Sequence, residues 1–296
     1  MVETLSGIPV EVDIASEFRY RVPLANRSRL TVAITQSGET ADTLGALRHA
    51  KECGSKSVAI CNVVGSSASR EADGVIYTRV GPEIGVASTK SFTGQLVALY
   101  LLAVHLGRTR GALSADSARA LLDELMELPP LVSTVLARGG RAAELASALT
   151  PYPSFLYLGR GVTYPVALEG ALKLKELAYI HAEGYPAGEM KHGPIALVDP
   201  KLPVVALVPR GRLYEKVLGN VEEVKARSGI VVAVASDGDD DIAGWADHVL
   251  YVPPASELLT PILCAIPLQL LAYHIAVLRG CDVDQPRNLA KSVTVE

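Results

Sequence analysis

The polar and apolar positions of this chain fall into two textures. Short, nearly unbroken apolar runs, such as Leu30–Ile34, Val58–Cys61 and Val231–Ala235, are separated by longer stretches in which apolar residues recur every three or four positions. Runs of the first kind predict strands buried on both faces, and the second kind predicts amphipathic helices. Together they predict parallel strands covered by helices on both sides, a doubly wound α/β fold.

The pattern occurs twice. "LTVAITQSGETADTLGALRHAKECGSKSVAICNVVGSSASREADGVIYT" aligns with "LPVVALVPRGRLYEKVLGNVEEVKARSGIVVAVASDGDDDIAGWADHVLYV", about 173 residues further on. Each copy reads strand, polar turn, helix, strand, turn, Ala-Asp, strand, and runs on into a long apolar helix, "GQLVALYLLAVHLG" or "LQLLAYHIAVLRG". Two copies of one unit predict tandem domains, and 296 residues suffice for two cores of ordinary size. Between the copies, helical periods are interrupted at Pro129-Pro130 and Gly139-Gly140, with Ser114 as a candidate cap, which predicts a helical connector. The expected division is a first domain with its connector over residues 1–145, a second domain over 146–280, and an extended tail over 281–296.

The copies differ at their front ends. The second opens with "SFLYLGRGVTYPVALEGALKLKELAYIHAEGYPAGEMKHGP", a strand, a Gly-Arg-Gly turn and a helix. Before Leu30 the first copy holds only the last turn of a helix, one short strand and a loop, so its opening strand is expected to be absent. Losing a strand and its helix strips backbone partners and bares apolar surface. A chain beginning at Met1 is therefore expected to be less stable or to recruit a covering partner, and Met1 is not expected to be the natural start.

Composition narrows the function. A hydrophobic content of 49% with 20% charged and 5% aromatic residues describes a folded chain whose core is Ala, Val, Leu and Ile. With 28 basic against 32 acidic side chains and no basic stripe, nucleic acid is not an expected partner. Cys53, Cys61, Cys264 and Cys281 form no CxxC pair and lie at no metal-ligand spacing to histidine, which predicts reduced, mostly buried thiols, no metal site and a cytoplasmic location. The stretches Val97–Leu106 and Leu263–Leu278 are interrupted by polar residues or proline and fall short of the roughly 20 residues that span a bilayer. No membrane association and no organic cofactor are expected.

Candidate chemistry gathers at the polar turn Thr35-Gln36-Ser37-Gly38-Glu39-Thr40. A loop running from the carboxyl end of a parallel strand into a helix presents backbone N–H groups and the positive end of the helix dipole, a setting for a phosphate. Ser37 and Thr40 add hydroxyl donors, Thr35 and Gln36 further hydrogen bonds, and Gly38 allows close approach. Capping of the helix by Ser37 or Thr40, with Glu39 and Asp42 complementing its dipole, explains the same residues equally well. In "YPVALEGALKLKELAYI", Glu169, Lys173 and Glu176 share one helical stripe, which reads either as a site or as a solvated row of ion pairs. His192 lies in a loop beside Gly-Pro, where catalytic groups concentrate, whereas His105 and His274 on apolar helices read as core residues. Lys291 is either a solvated tail charge or, in an apolar setting, an amine of nucleophilic pKa.

The segments "SGETADTL", "EIGVASTK", "ALEGALKLKE", "YIHAE", "KHGP" and "DVDQPRNLAKSVTVE" resemble the isomerase half of the isomerising glutamine-fructose-6-phosphate aminotransferases, from Gly7 to Glu296. The resemblance implies two tandem sugar-isomerase (SIS) domains, in agreement with the duplication. It also implies conversion of fructose 6-phosphate and ammonia to glucosamine 6-phosphate by ring opening, imine formation and a proton shift. Glu176 falls on the family's proton-carrying glutamate, with Lys173 grouped beside it. Lys291 falls on the Schiff-base lysine, and His192 on the ring-opening histidine that serves a neighbouring subunit, which implies a homodimer. Thr35, Gln36, Ser37 and Thr40 fall on the phosphate loop, where Thr35 replaces the usual serine, and Val86 and Ser88 on the wall that holds the sugar. The glutaminase domain and the Cys-Gly-Thr-Ser turn of the first domain have no counterpart. "CGSK" at Cys53–Lys56 joins a helix to the next strand, at the wrong end of the sheet to replace that turn. A phosphosugar-binding regulatory module and a related amino-sugar isomerase or deglycase are the alternative readings.

Overall fold

The computed structural model describes residues 1–21 and 28–294; part of the loop expected before Leu30 and the last two tail residues lie outside these. The chain forms two compact units, one of Met1–Leu121 with Asn288–Glu296 and one of Leu122–Arg287.

In the first unit, helices α1 (Val2–Ser6) and α2 (Ala15–Phe18) precede strand β1 (Leu30–Ile34), α3 (Ala41–Glu52), β2 (Lys56–Cys61), α4 (Ser67–Glu71), β3 (Gly74–Tyr77) and α5 (Lys90–Thr109). The three strands form a parallel sheet in the order β1-β2-β3. Alternate residues of β2 face opposite ways. Ala59 packs with Leu44 of α3 and Ala68 of α4, while Ile60 packs with Ala98 and Leu102 of α5. The sheet is thus covered on both faces, as its continuous apolar runs require.

The short strand expected before Leu30 does not form. Residues 8–14 carry no strand, and Val12 is 93% exposed. The second unit shows why. There, β5 (His181–Pro186) is held entirely by β4 (Ser154–Gly159), and among the described residues the first unit has no counterpart of β4. A segment of strand character without a neighbouring ladder cannot pair its backbone as a strand; Ile8 N, Val10 N and Ile14 N donate instead to the side chains of Ser6, Glu3 and Asp13.

The second unit contains α6 (Ala115–Met126) in part, α7 (Leu128–Ala137), α8 (Gly139–Leu149), β4, α9 (Tyr164–Ala178), β5, β6 (Pro203–Val208), α10 (Tyr214–Lys225), β7 (Ile230–Ser236), α11 (Asp240–Ala243), β8 (His248–Val252) and α12 (Thr260–Leu278). Its five parallel strands run in the order β5-β4-β6-β7-β8. On one face Leu156, Val204, Ala206, Val231 and Ala233 pack with Tyr214, Val217 and Val221 of α10. On the other, α9 and α12 close over β4, with Gly170 set tightly against Tyr157 and Leu268.

The duplication is visible in detail. Asp73 Oδ2 accepts a hydrogen bond from Ser57 N at 2.9 Å in the first unit, and Asp247 Oδ2 accepts one from Val231 N at 2.8 Å in the second. These are the aspartates of the two Ala-Asp pairs, each tying the start of the last strand to the start of its neighbour.

Ser114 accepts from Ser117 N at 3.0 Å and so caps α6, and the helices break at the expected Pro and Gly pairs. The connector does not stay with the first unit, as the sequence suggested. The buried faces of α7 and α8, with Val135, Leu145 and Leu149, pack with α12, so the division falls after Leu121 rather than near residue 145. The tail also divides, its residues from Asn288 onward joining the first unit. Among the described residues one helix, α12, is long and apolar enough to cross a membrane by length and composition, but 67% of that stretch is buried against its neighbours. His105 is exposed and His274 half-buried edge-on to Tyr273, so His105 is not the core residue its apolar helix suggested.

Candidate active site

The polar turn lies where the sequence placed it, between β1 and α3. Gly38 takes a left-handed φ of +73°, and a Cβ there would overlap Ser66 Oγ, so both backbone and space demand glycine. Thr35 N continues the ladder to Ile60 O at 3.0 Å, and Thr35 Oγ1 accepts from Gly38 N at 3.1 Å. Ser37 Oγ accepts from Glu39 N at 3.1 Å. A hydroxyl used as an acceptor keeps its own proton to donate to a ligand oxygen.

Capping by the hydroxyls does not hold, although Asp42 does sit in the first turn of α3. Thr40 occupies the N-cap position of α3 without a side-chain cap hydrogen bond. The nearby carboxylates are turned elsewhere. Glu39 Oε1 accepts from Ser67 N at 2.8 Å, hydrogen bonds from Ser67 hold its pKa below the usual range, and Asp42 pairs with Arg19 at 3.1 Å. The first unit thus withdraws negative charge from the mouth of the turn while keeping its hydroxyls.

The tail comes back to this turn. Val293 O accepts from Ala41 N at 3.0 Å, at the positive end of α3, and Lys291 Nζ donates to Gly85 O at 2.6 Å. The expected substrate wall, Val86 and Ser88, lies in the same Gly81–Lys90 segment, with Val86 and Ser88 both half-buried. Thr35, Gln36, Ser37, Thr40, Val86, Ser88 and Lys291 therefore belong to one compact unit although Lys291 is remote in sequence.

In the second unit, Lys173 is 2% exposed, its Nζ 2.6 Å from Glu176 Oε2 and 3.3 Å from Glu169 Oε1. The stripe is not a solvated row of ion pairs. A buried ammonium joins two carboxylates of which Glu176, 23% exposed, has the more open access to water. His192 lies on a different element. It ends the short turn Ala187–His192, is 75% exposed, and has its nearest acidic contact in Glu189 at 3.9 Å. The neighbouring Lys191 is anchored to Glu223 at 2.7 Å.

The second copy's counterpart of the polar turn, at the start of α10, is filled by its own charge. Arg210 lies over the Tyr214 ring and binds Asp239 and Asp241, each at 2.7 Å, and Tyr214 donates to Asp239 Oδ1 at 2.8 Å. Burial and the Asp239 carboxylate push the Tyr214 phenol up. Where the first copy offers hydroxyls, the second holds an arginine already bound by its own carboxylates.

Two residues escaped the sequence reading. Asn62, directly after β2, donates from its backbone N to Gln36 O at 3.1 Å and from Nδ2 to Gly81 O at 2.8 Å. Its Oδ1 accepts from Thr78 Oγ1 at 3.0 Å and Val80 N at 3.1 Å, so one residue, through its backbone on one side and its side chain on the other, ties the polar turn to the segment carrying Val86. The other is Glu83, within that segment. The rule that sites form at carboxyl ends of parallel strands would have found Asn62; Glu83 opens the segment "EIGVASTK" that carries part of the resemblance, but its local spacing assigns it no role.

The chain belongs to the SIS-domain family, whose model matches residues 1–105 and 149–279. Within it, the chain matches the isomerase region of the isomerising glutamine–fructose-6-phosphate aminotransferases. All 296 residues are 56% identical to 49% of the enzyme of that name from Thermus thermophilus, and 54% identical to 48% of the one from Chlorobaculum tepidum. The chain thus spans about half the length of the curated relatives it matches. The solved structure of the C-terminal domain of glucosamine-fructose-6-phosphate aminotransferase from Francisella tularensis is 42% identical, with a TM-score of 0.93 over 96% of this chain and 81% of that one.

Proposed function

We propose that this chain carries out the isomerase chemistry of those enzymes, converting fructose 6-phosphate and ammonia to glucosamine 6-phosphate. The hydroxyls of Thr35, Ser37 and Thr40, with Gln36, receive the phosphate, and Val86 and Ser88 hold the sugar. His192 of one subunit opens the sugar ring for its neighbour in a homodimer. The Lys291 amine then adds to the C2 carbonyl of the open chain, and the carbonyl oxygen leaves as water, giving a Schiff base. Ammonia displaces the lysine. Glu176 takes a proton from C1 and returns one to C2, a transfer between neighbouring carbons that one positioned carboxylate can serve, while Lys173 fixes that carboxylate. The chain acts in the cytoplasm.

The observation that carries this reading is the return of the tail: Lys291 Nζ on Gly85 O and Val293 O on Ala41 N place an amine in the same unit as the hydroxyl turn. A pure phosphosugar-binding module has no use for such an amine. Borohydride reduction in the presence of fructose 6-phosphate is expected to leave a hexitol phosphate adduct on Lys291, found by peptide mass spectrometry. Incubation with fructose 6-phosphate and ammonium, scored for glucosamine 6-phosphate, tests turnover. An unmodified Lys291 together with tight sugar-phosphate binding would favour the regulatory module instead.

A further inference from the structure

We propose that Glu83 is a positioning residue whose carboxylate folds the Glu83–Ser91 segment into the seat of the Lys291 amine. The inference rests on the reading of Lys291 given above and adds a residue to which neither the sequence nor the family comparison assigned a role. Glu83 Oε1 accepts from Thr89 N and Thr89 Oγ1, both at 2.8 Å, and Oε2 accepts from Ser91 N at 3.2 Å and Ser88 Oγ at 3.3 Å. The segment from 83 to 91 is thereby closed into a ring by one side chain. Gly85, whose carbonyl receives Lys291 Nζ at 2.6 Å, sits inside that ring.

Capping of α5 accounts for part of this. Thr89, its N-cap residue, makes no side-chain cap hydrogen bond, and Glu83 reaches Ser91 N in its place. Capping alone, however, does not require the carboxylate to take Thr89 and Ser88 as well, nor to lie in the field of a lysine from the far end of the chain. Burial pushes the Glu83 carboxyl up, but hydrogen bonds from Ser91 and Thr89 and the charge of Lys291 hold it below the usual carboxylate range. Asn62 pins the other side of the segment through Val80 N and Gly81 O, so the Gly85 carbonyl is fixed from both ends. Glu83 therefore does two things for Lys291: it orients the carbonyl that holds the amine, and it supplies the opposite charge that draws the tail back.

The test uses the full chain with Glu83→Gln, which keeps the shape and removes the charge, and Glu83→Ala. Without substrate, acetylation of Lys291 by sulfosuccinimidyl acetate, read by mass spectrometry against the other lysines, is expected to be slow in the parent. It should be about tenfold faster in both variants, the scale of one charge-assisted hydrogen bond. Binding of inorganic phosphate, measured by calorimetry, should stay within a factor of about two in Glu83→Gln, which shows an intact polar turn, while borohydride trapping of fructose 6-phosphate slows about tenfold. Lys291 acetylated at the parent rate in Glu83→Gln overturns the proposal, whatever Glu83→Ala does. If the parent forms no adduct, the Schiff-base reading fails, yet the acetylation rates still decide the role of Glu83.

Discussion

Replacing Lys173 by methionine isolates the charge at the heart of the second unit. The ammonium is 2% exposed and touches two carboxylates, Glu169 at 3.3 Å and Glu176 at 2.6 Å, whose side chains are 11% and 23% exposed. Methionine fills nearly the same volume, so packing changes little and the loss is that of the positive charge. Removing one partner of a buried ion pair costs ~3–5 kcal/mol, because the other charge stays buried and uncompensated. Partial access of Glu176 to water places Lys173→Met at the lower end, about 3 kcal/mol. In a unit of 150–250 residues each kcal/mol moves Tm by about 2–4 °C, so the transition should fall by about 6–12 °C in scanning calorimetry. The triple variant Glu169→Gln, Lys173→Met, Glu176→Gln should recover most of that loss, since neutral replacement of a whole buried ionic cluster is often tolerated. A Tm for Lys173→Met within about 1 °C of the parent would mean that the ammonium is hydrated in solution. Failure of the triple variant to recover would mean that packing, not charge, sets the cost.

Gly38→Ala forces a Cβ onto Ser66 Oγ and Ser66 Cβ at a left-handed φ and should destabilise the first unit by about 1–3 kcal/mol while abolishing phosphate binding; Ser66→Gly in the same chain removes both clashing atoms but not the backbone strain, so calorimetry should show only partial recovery. Burial, with Arg141 nearby, holds the His248 imidazole below its ordinary pKa, so the native state resists the proton that the unfolded chain takes up below pH ~6.5. Stability should therefore fall as pH drops through that value towards the native pKa, and urea midpoints of His248→Phe should lose this slope. Buried Cys264, its thiol pushed up to about 12, should resist iodoacetamide at pH 8 in native protein, while partly exposed Cys53 and Cys281 react; labelling of Cys264 at the rate of Cys53 would contradict its burial.

Much of the fold and of the turn chemistry was legible because it is local. The strand at Val58–Cys61 and the helix after Thr40 follow from the side-chain period of each element, whereas the left-handed φ of Gly38 and its packing on Ser66 are seen only in the fold. Other features were left open or misread where the outcome depended on a distant neighbour. The stripe of Glu169, Lys173 and Glu176 carries the same spacing whether it faces water or the core, and only the packing of α9 within its unit shows that Lys173 is buried. Residues 8–14 have strand character but no ladder to join. The division of the connector turned on the buried faces of α7 and α8, which spacing alone does not assign to one core or the other.

By itself, then, the amino-acid order determined the succession of strands and helices, their duplication, and the hydroxyl-rich turn after β1, since periodicity and turn preference act within a few residues. Tertiary structure alone decided that Lys291, 206 residues from Gly85, returns to its carbonyl, that Glu83 shapes that seat, and that Arg210 closes the corresponding turn of the second copy. Those outcomes depend on where the chain comes back upon itself. Burial, charge pairing and long-range hydrogen bonds are properties of that return, and no local pattern of side chains encodes them.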